Sequence, residues 1–139
     1  MRQHQSQLAV VTRGQGLYEI TGETARIVDD ARVTTGLAHV YCRHTSASLL
    51  IQENADADVQ RDLLAFFKRL VPDGDPLFVH TMEGPDDMPA HVKAALTQTT
   101  LTIPVANGRL ALGTWQGIYL FEHRTAPHTR SIIVHVTGE

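Results

Sequence analysis

The stretch His80-Thr81-Met82-Glu83-Gly84-Pro85-Asp86-Asp87-Met88-Pro89-Ala90-His91 concentrates the side chains best suited to chemistry. A helix that has begun by Asp87 places Asp87 and His91 at i and i+4 on one face. Two side chains at that spacing can approach a single metal ion, and His80 can add a third ligand from the preceding loop. The same residues also suit plain structure. Asp86 and Asp87 can cap the helix, where acids face the positive end of its dipole, with His91 on the solvent side. No short metal-binding signature is matched.

In Arg43-His44-Thr45-Ser46-Ala47-Ser48, His44 continues the strand face of Ala38, Val40 and Cys42. Its imidazole can look into a cleft or simply bond a loop. The hydroxyls of Thr45, Ser46 and Ser48 suit either an anion or a turn. Glu53-Asn54-Ala55-Asp56 marks a strand-to-helix junction. Free N–H groups there suit phosphate, whereas the acids suit a cation or capping. Along Ile118 to Arg124, the residues Ile118, Leu120, Glu122 and Arg124 share one face. A buried charge needs a partner, so Glu122 and Arg124 call for a ligand, a metal or each other. Trp115 is expected in the core rather than as a ligand platform. Cys42, the only cysteine, reads as a small buried residue with no mark of an activated thiol.

The elements that position these groups follow from periodicity. Leu8 to Thr12 and Leu17 to Ile20 predict strands. Thr21 suits the N-cap of a helix carrying Ala25, Val28 and Ala31, which Gly36 would end. Strands follow from Leu37 and over Ser48 to Ile51. A second helix starts near Asn54 or Asp56, with Val59, Leu63, Phe66, Phe67 and Leu70 along one stripe. Pro72-Asp73-Gly74-Asp75-Pro76 breaks the chain, and His80 to Pro85 is loop. The helix begun at Asp86-Asp87-Met88-Pro89 carries Val92, Ala95 and Leu96 as its apolar side. Strands over Thr99 to Val105, Arg109 to Leu112, Ile118 to Arg124 and Ser131 to Thr137 complete the pattern, with Asn107-Gly108 as a hairpin turn. This predicts an α+β fold, an antiparallel or mixed sheet packed with two or three helices.

The chain's 139 residues, 42% hydrophobic and 19% charged, fit one domain over 1–139 with its own core. A net charge of −3 argues against nucleic acid, whose binders show basic faces. The single cysteine allows no intrachain disulfide. Without a signal-like apolar start or a membrane-length apolar run, the expected location is cytoplasmic, with no membrane partner.

Taken in order, His44-Thr45-Ser46-Ala47-Ser48, Glu53-Asn54 with Asp56, His80 with Glu83-Gly84, Asp86-Asp87-Met88-Pro89 with His91, Gly113-Thr114-Trp115-Gln116-Gly117-Ile118 and Glu122-His123-Arg124 resemble the YjbQ-like family. Each motif alone is weak, but together they span about Gly36 to Glu139 in register. The resemblance implies a compact α+β homotrimer with polar clefts near subunit contacts. It also implies secondary thiamine-phosphate synthase activity, joining an aminopyrimidine pyrophosphate to a thiazole phosphate. Carried over, His44, His80 and His91 become metal ligands or acid–base groups. Glu122, Arg124 and His44 become the catalytic set, and Asn54, Glu83, Asp87 and Arg124 contact substrate. One departure is Phe78, where the family often has a tyrosine two residues before the motif histidine.

The cofactor expected is a divalent metal, zinc or magnesium. Carboxylates suit magnesium in a synthase, whereas three imidazoles suit zinc or a later transition metal. The histidines therefore favour a second reading, metal-assisted hydrolysis of an anionic or phosphorylated small molecule, with Glu122 as base and Arg124 holding the anion. A third reading is a trimer that binds a metal or metabolite without turnover.

Overall fold

A computed structural model describes residues 1–139. The chain runs β1 (Arg2–Thr12), β2 (Gly16–Glu19), α1 (Thr21–Ala31), β3 (Gly36–Cys42), β4 (Ala47–Glu53), α2 (Ala57–Leu70), α3 (Asp87–Leu96), β5 (Thr100–Ala106), β6 (Arg109–Leu110), β7 (Gln116–Glu122) and β8 (His128–Gly138). Five strands form one sheet, ordered β1-β8-β3-β5-β6, and three form another, β2-β7-β4. Every pairing is antiparallel, which resolves the expected antiparallel-or-mixed sheet. With three helices this is the expected α+β class.

Alternation along the strands builds the core. Ala38, Val40 and Cys42 of β3, Leu101, Ile103 and Val105 of β5, and Ile132, Val134 and Val136 of β8 join Ile27, Val28 and Ala31 of α1 in one apolar cluster. The period-two pattern turns one face of each strand to that cluster and the other outward. β7, the central strand of the smaller sheet, has both edges paired and is buried on both faces after its first residue. Asn107 and Gly108, at φ of 53° and 77°, make the expected tight turn between β5 and β6.

Several details differ from the sequence reading. β1 reaches back to Arg2 because β8 pairs with it along its length, from Arg2 opposite Gly138 to Thr12 opposite His128. Ile20, not Thr21, is the N-cap of α1. The Thr21 hydroxyl instead donates to Glu19 and accepts the Ile118 N–H. α1 ends on Arg32 in the left-handed region, φ 55°, rather than at Gly36. Gly36 opens β3, where a Cβ would lie 2.0 Å from the Thr137 carbonyl oxygen, so the approach of β8 excludes any side chain.

The helices that frame the site also differ in their packing. Asp56 caps α2, its carboxylate accepting the Asp58 N–H. No residue of α2 is fully buried, and Phe66 and Leu70 stay half exposed along its apolar stripe. α3 turns Asp87, Pro89, Ala90 and Lys93 inward rather than Val92, Ala95 and Leu96. Asp87 finds its partner in Arg124, just beyond β7, as described below, while Leu96 is left exposed. Trp115 is 62% exposed, against the expectation of a core position. No helix is long and apolar enough to cross a membrane.

Candidate functional site

The loop before α3 and its first two turns bring His80, Asp87 and His91 together, their candidate ligand atoms all within 4.8 Å of one another. Asp87 Oδ2 lies 2.8 Å from His80 Nε2 and 3.2 Å from His91 Nε2. The Asp87 side chain is buried, whereas His80 and His91 retain 48% and 30% exposure, so the cluster is open on the histidine side. Burial pushes the Asp87 carboxyl up, but hydrogen bonds from His80 and the charges of His91 and Arg124 outweigh it and leave it lowered.

The protons at this cluster can be assigned in part. His91 Nδ1 lies 3.0 Å from the Thr45 carbonyl oxygen. A carbonyl only accepts, so Nδ1 carries the proton and Nε2 of the neutral ring presents a lone pair. That lone pair faces a carboxylate oxygen at 3.2 Å. Two acceptors so placed require a cation between them, either a proton on His91 or a metal ion. A ligating histidine that donates its other N–H to a backbone carbonyl is the usual supporting arrangement of a metal site.

Arg124 fixes the carboxylates from behind. Its Nε donates to Asp86 Oδ2 and its Nη1 to Asp87 Oδ1, both at 2.9 Å, while Nη2 donates to the Glu83 carbonyl. Asp86 also accepts from the Thr125 N–H and hydroxyl. Burial raises the Asp86 carboxyl, yet the bonds from Thr125 and Arg124 prevail and bring it down to about 2. Asp86 is therefore an anchor for Arg124 rather than a side-chain cap of α3. Only the backbone of Glu83 meets Arg124; its side chain is exposed.

Glu122 stands apart from this cluster. It is fully buried, and its carboxylate accepts from Arg130, the Thr12 hydroxyl and the backbone N–H groups of His123 and Arg124. Burial acts to raise its pKa, but Arg130 and Thr12 lower it on balance. A carboxylate so saturated is a structural anion, not the free general base expected from sequence. Arg130, which the sequence reading missed, lies one step before Ile132 on the inward face of β8, and extending that alternation backward would have found it.

His44 is likewise outside the His80–Asp87–His91 group. Its Nε2 accepts the Ser131 N–H at 2.8 Å, which removes that nitrogen from metal binding and puts the proton of the neutral ring on Nδ1. Burial, reinforced by Arg130, holds His44 below its ordinary pKa. It does share a cleft of about 550 Å³ with Tyr41, Arg43, Thr45, His91 and Thr99. Arg43 is the exposed cation of that cleft. Asn54 is distant from all of these, following Glu53 at the far end of the β4–β7 pair, opposite Gln116, whereas Thr45 and Arg124 flank the end where Ala47 meets Glu122.

Three consecutive residues at the end of β7 thus serve three different partners. Glu122 turns to Arg130 and Arg124 to Asp86 and Asp87 at the start of α3, while His123 Nε2 meets Ser48 of β4 at 2.9 Å.

Comparison with known proteins places this arrangement among relatives. The model of the "UPF0047 protein YjbQ-like" family matches residues 6–139. A UPF0047 protein of Synechocystis is 54% identical over 99% of this chain and 94% of its own length. The UPF0047 protein YjbQ of Escherichia coli O157:H7 is 42% identical over 98% of this chain and 99% of its own. A solved structure of an uncharacterized yjbq/upf0047 family protein from Clostridium acetobutylicum superposes with a TM-score of 0.83 at 36% identity, covering 96% of this chain and 98% of that one.

Proposed function

This chain belongs to the UPF0047 YjbQ-like family, and we propose that it is a metal-dependent enzyme for an anionic small molecule, with His80, Asp87 and His91 as the ligands. The observation that carries this reading is the convergence of His80 Nε2 and His91 Nε2 on one oxygen of the buried Asp87 carboxylate while His91 Nδ1 donates to the Thr45 carbonyl. Two imidazoles and one carboxylate suit zinc or a later transition metal rather than magnesium, and three protein ligands are the usual number at a catalytic zinc. Such an ion, when bound, supplies Lewis-acid polarisation and an acidified water.

The chain's own residues divide the remaining work. Arg124 and Asp86 hold Asp87 in place, and the Thr45 carbonyl orients His91. Arg43 offers its charge to the substrate anion in the cleft, and the Nδ1–H of His44 is a donor to the same ligand. Arg124, with each guanidinium nitrogen already bonded, is a positioning residue. This set favours hydrolysis.

The second reading is thiamine-phosphate synthesis, which the family resemblance suggested. The cleft of about 550 Å³ lies within the range of small-molecule sites and has room for two ring-sized substrates. In either reading we propose self-association, for which the exposed apolar side chains of Leu77, Val79 and Met82 beside His80 offer a surface, with the homotrimer taken from the family resemblance alone.

Elemental analysis of protein purified without added metal, wild type beside His91→Ala, tests the centre. Stoichiometric zinc or a similar ion in wild type, lost in the variant, is the expected result; absence of metal from both overturns the reading. Release of phosphate from simple phosphoesters, set against coupling of an aminopyrimidine pyrophosphate to a thiazole phosphate, then separates hydrolase from synthase.

A further inference from the structure

The outer face of the larger sheet, opposite its apolar core, carries one row of four polar side chains. Gln5, His135, His39 and Thr102 stand in register across β1, β8, β3 and β5. Their chain neighbours Ala38, Val40, Val134 and Val136 point into the core, so strand alternation turns the two histidines to the open side. His39 and His135 are directly opposite on adjacent strands, and both are partly exposed.

Each histidine is tied at one ring nitrogen. His135 Nδ1 lies 2.8 Å from Gln5 Oε1, an amide oxygen that only accepts, so Nδ1 carries the proton and Nε2 holds a lone pair. His39 Nδ1 lies 3.2 Å from Thr102 Oγ1. A hydroxyl accepts as well as donates, so His39 can hold the same tautomer. β1 and β5 flank the pair on opposite sides, which draws the two Nδ1 atoms apart. The nitrogens of an imidazole point in nearly opposite directions, so both Nε2 atoms are turned back over the line where β8 meets β3. Neither Nε2 has a hydrogen-bond partner in the chain.

The surroundings suit a metal ion better than a salt bridge. The adjoining rows of β3 and β8 on this face pair Leu37 with Thr137 and Tyr41 with Ile133, without a charged side chain. No acid is there to hold a protonated imidazole, and no cation is there to repel a metal. Opposite residues in an antiparallel pair have Cβ atoms about 4.5–5.5 Å apart, close enough for two imidazoles to share one ion at about 2.0–2.1 Å. A ligating histidine that gives its other N–H to a nearby oxygen is the usual supported form.

We propose that His39 and His135 form a second metal site, for a divalent transition-metal ion such as zinc, nickel or copper, with Gln5 and Thr102 orienting the rings. It shares no residue with the His80–Asp87–His91 group. Imidazole nitrogen suits these metals, whereas magnesium and calcium take oxygen. With two protein ligands the remaining positions are left to water, so the ion is held more weakly than at a centre with three.

Calorimetry with nickel chloride tests this on the full chain carrying His80→Ala and His91→Ala, which removes the imidazoles of the other group. One saturable site per chain is expected. Adding His39→Ala or His135→Ala should weaken it at least about tenfold, since even the loss of a supporting hydrogen bond costs that much at a metal site. Adding His4→Ala, which leaves the row intact, should change nothing. Thermal melting checks that each variant is folded; where an alanine variant is not, glutamine at the same position replaces it under the same criterion. The proposal is overturned if nickel does not bind saturably, or if either His39→Ala or His135→Ala binds like the parent, which would mark an adventitious ion only. It is equally overturned if His4→Ala abolishes binding and so places the ion at the chain's start.

Discussion

Glu122 and Arg130 form a bidentate ion pair sealed from solvent, Nε to Oε1 and Nη2 to Oε2, with side-chain exposures of 0% and 5%. Ser46 completes it by accepting from the same guanidinium. The pair ties the end of β7 to the start of β8 just behind the residues that hold the proposed metal ligands.

Removing one partner strands the other charge in the interior. Arg130→Met should lower stability by about 3–5 kcal/mol, read as a fall in the urea midpoint. Glu122 has a lowered folded pKa, so its contribution is present at neutral pH and lost as pH falls. The destabilisation by Arg130→Met should therefore shrink on acidification. An unchanged midpoint at pH 7 would refute the role given to the pair.

Asp86 gives a second pH signature. Its carboxyl is held at about 2 against an ordinary value of 3.8. The stabilisation is complete above the unfolded value and disappears as pH drops towards 2, a difference of roughly 2 kcal/mol by linkage. Asp86→Asn should lose about that much at pH 7. The gap to wild type should narrow below the ordinary value of 3.8 and close as pH falls through about 2, as followed by circular dichroism during acid titration.

Arg124→Lys keeps the charge but loses the planar fork that engages Asp86 and Asp87 together. Metal affinity should fall about 10–100-fold while the fold persists. Competition with a chromogenic chelator measures the affinity directly. Equal affinity in the two proteins would show that Asp87 needs no such support.

Gly36→Ala tests the packing of β3 on β8. A methyl 2.0 Å from the Thr137 oxygen forces the strands apart. A loss of about 3 kcal/mol or more is expected, with weakened amide-exchange protection along both strands. A substitution tolerated at wild-type melting temperature would contradict the strand spacing seen here.

Much of the scaffold was readable because strand burial obeys period two. Ala38, Val40 and Cys42 point inward as their alternation required, and Asn107-Gly108 makes the turn its sequence demanded. Gly36 was misassigned because a glycine needed for close approach looks the same as one ending a helix. The orientation of α3 was unreadable from apolar spacing, since what it buries includes Asp87 and Lys93, and the partner of Asp87 is Arg124, 37 residues away. At the site, i and i+4 spacing brought out Asp87 and His91, and proximity in sequence brought in His80. The separation of His44 and Glu122 from that group depends on Ser131 and Arg130 of β8, 87 and 8 residues away respectively, which no local pattern encodes.

The three-way division at the end of β7 has a consequence for how the gene can vary. Glu122, His123 and Arg124 are neighbours in sequence but answer to β8, β4 and α3 respectively. Adding or deleting one codon here would shift all three at once, sending a charge to an apolar wall and a neutral ring to an arginine. Point changes can be met one at a time by repacking, but a change of length cannot.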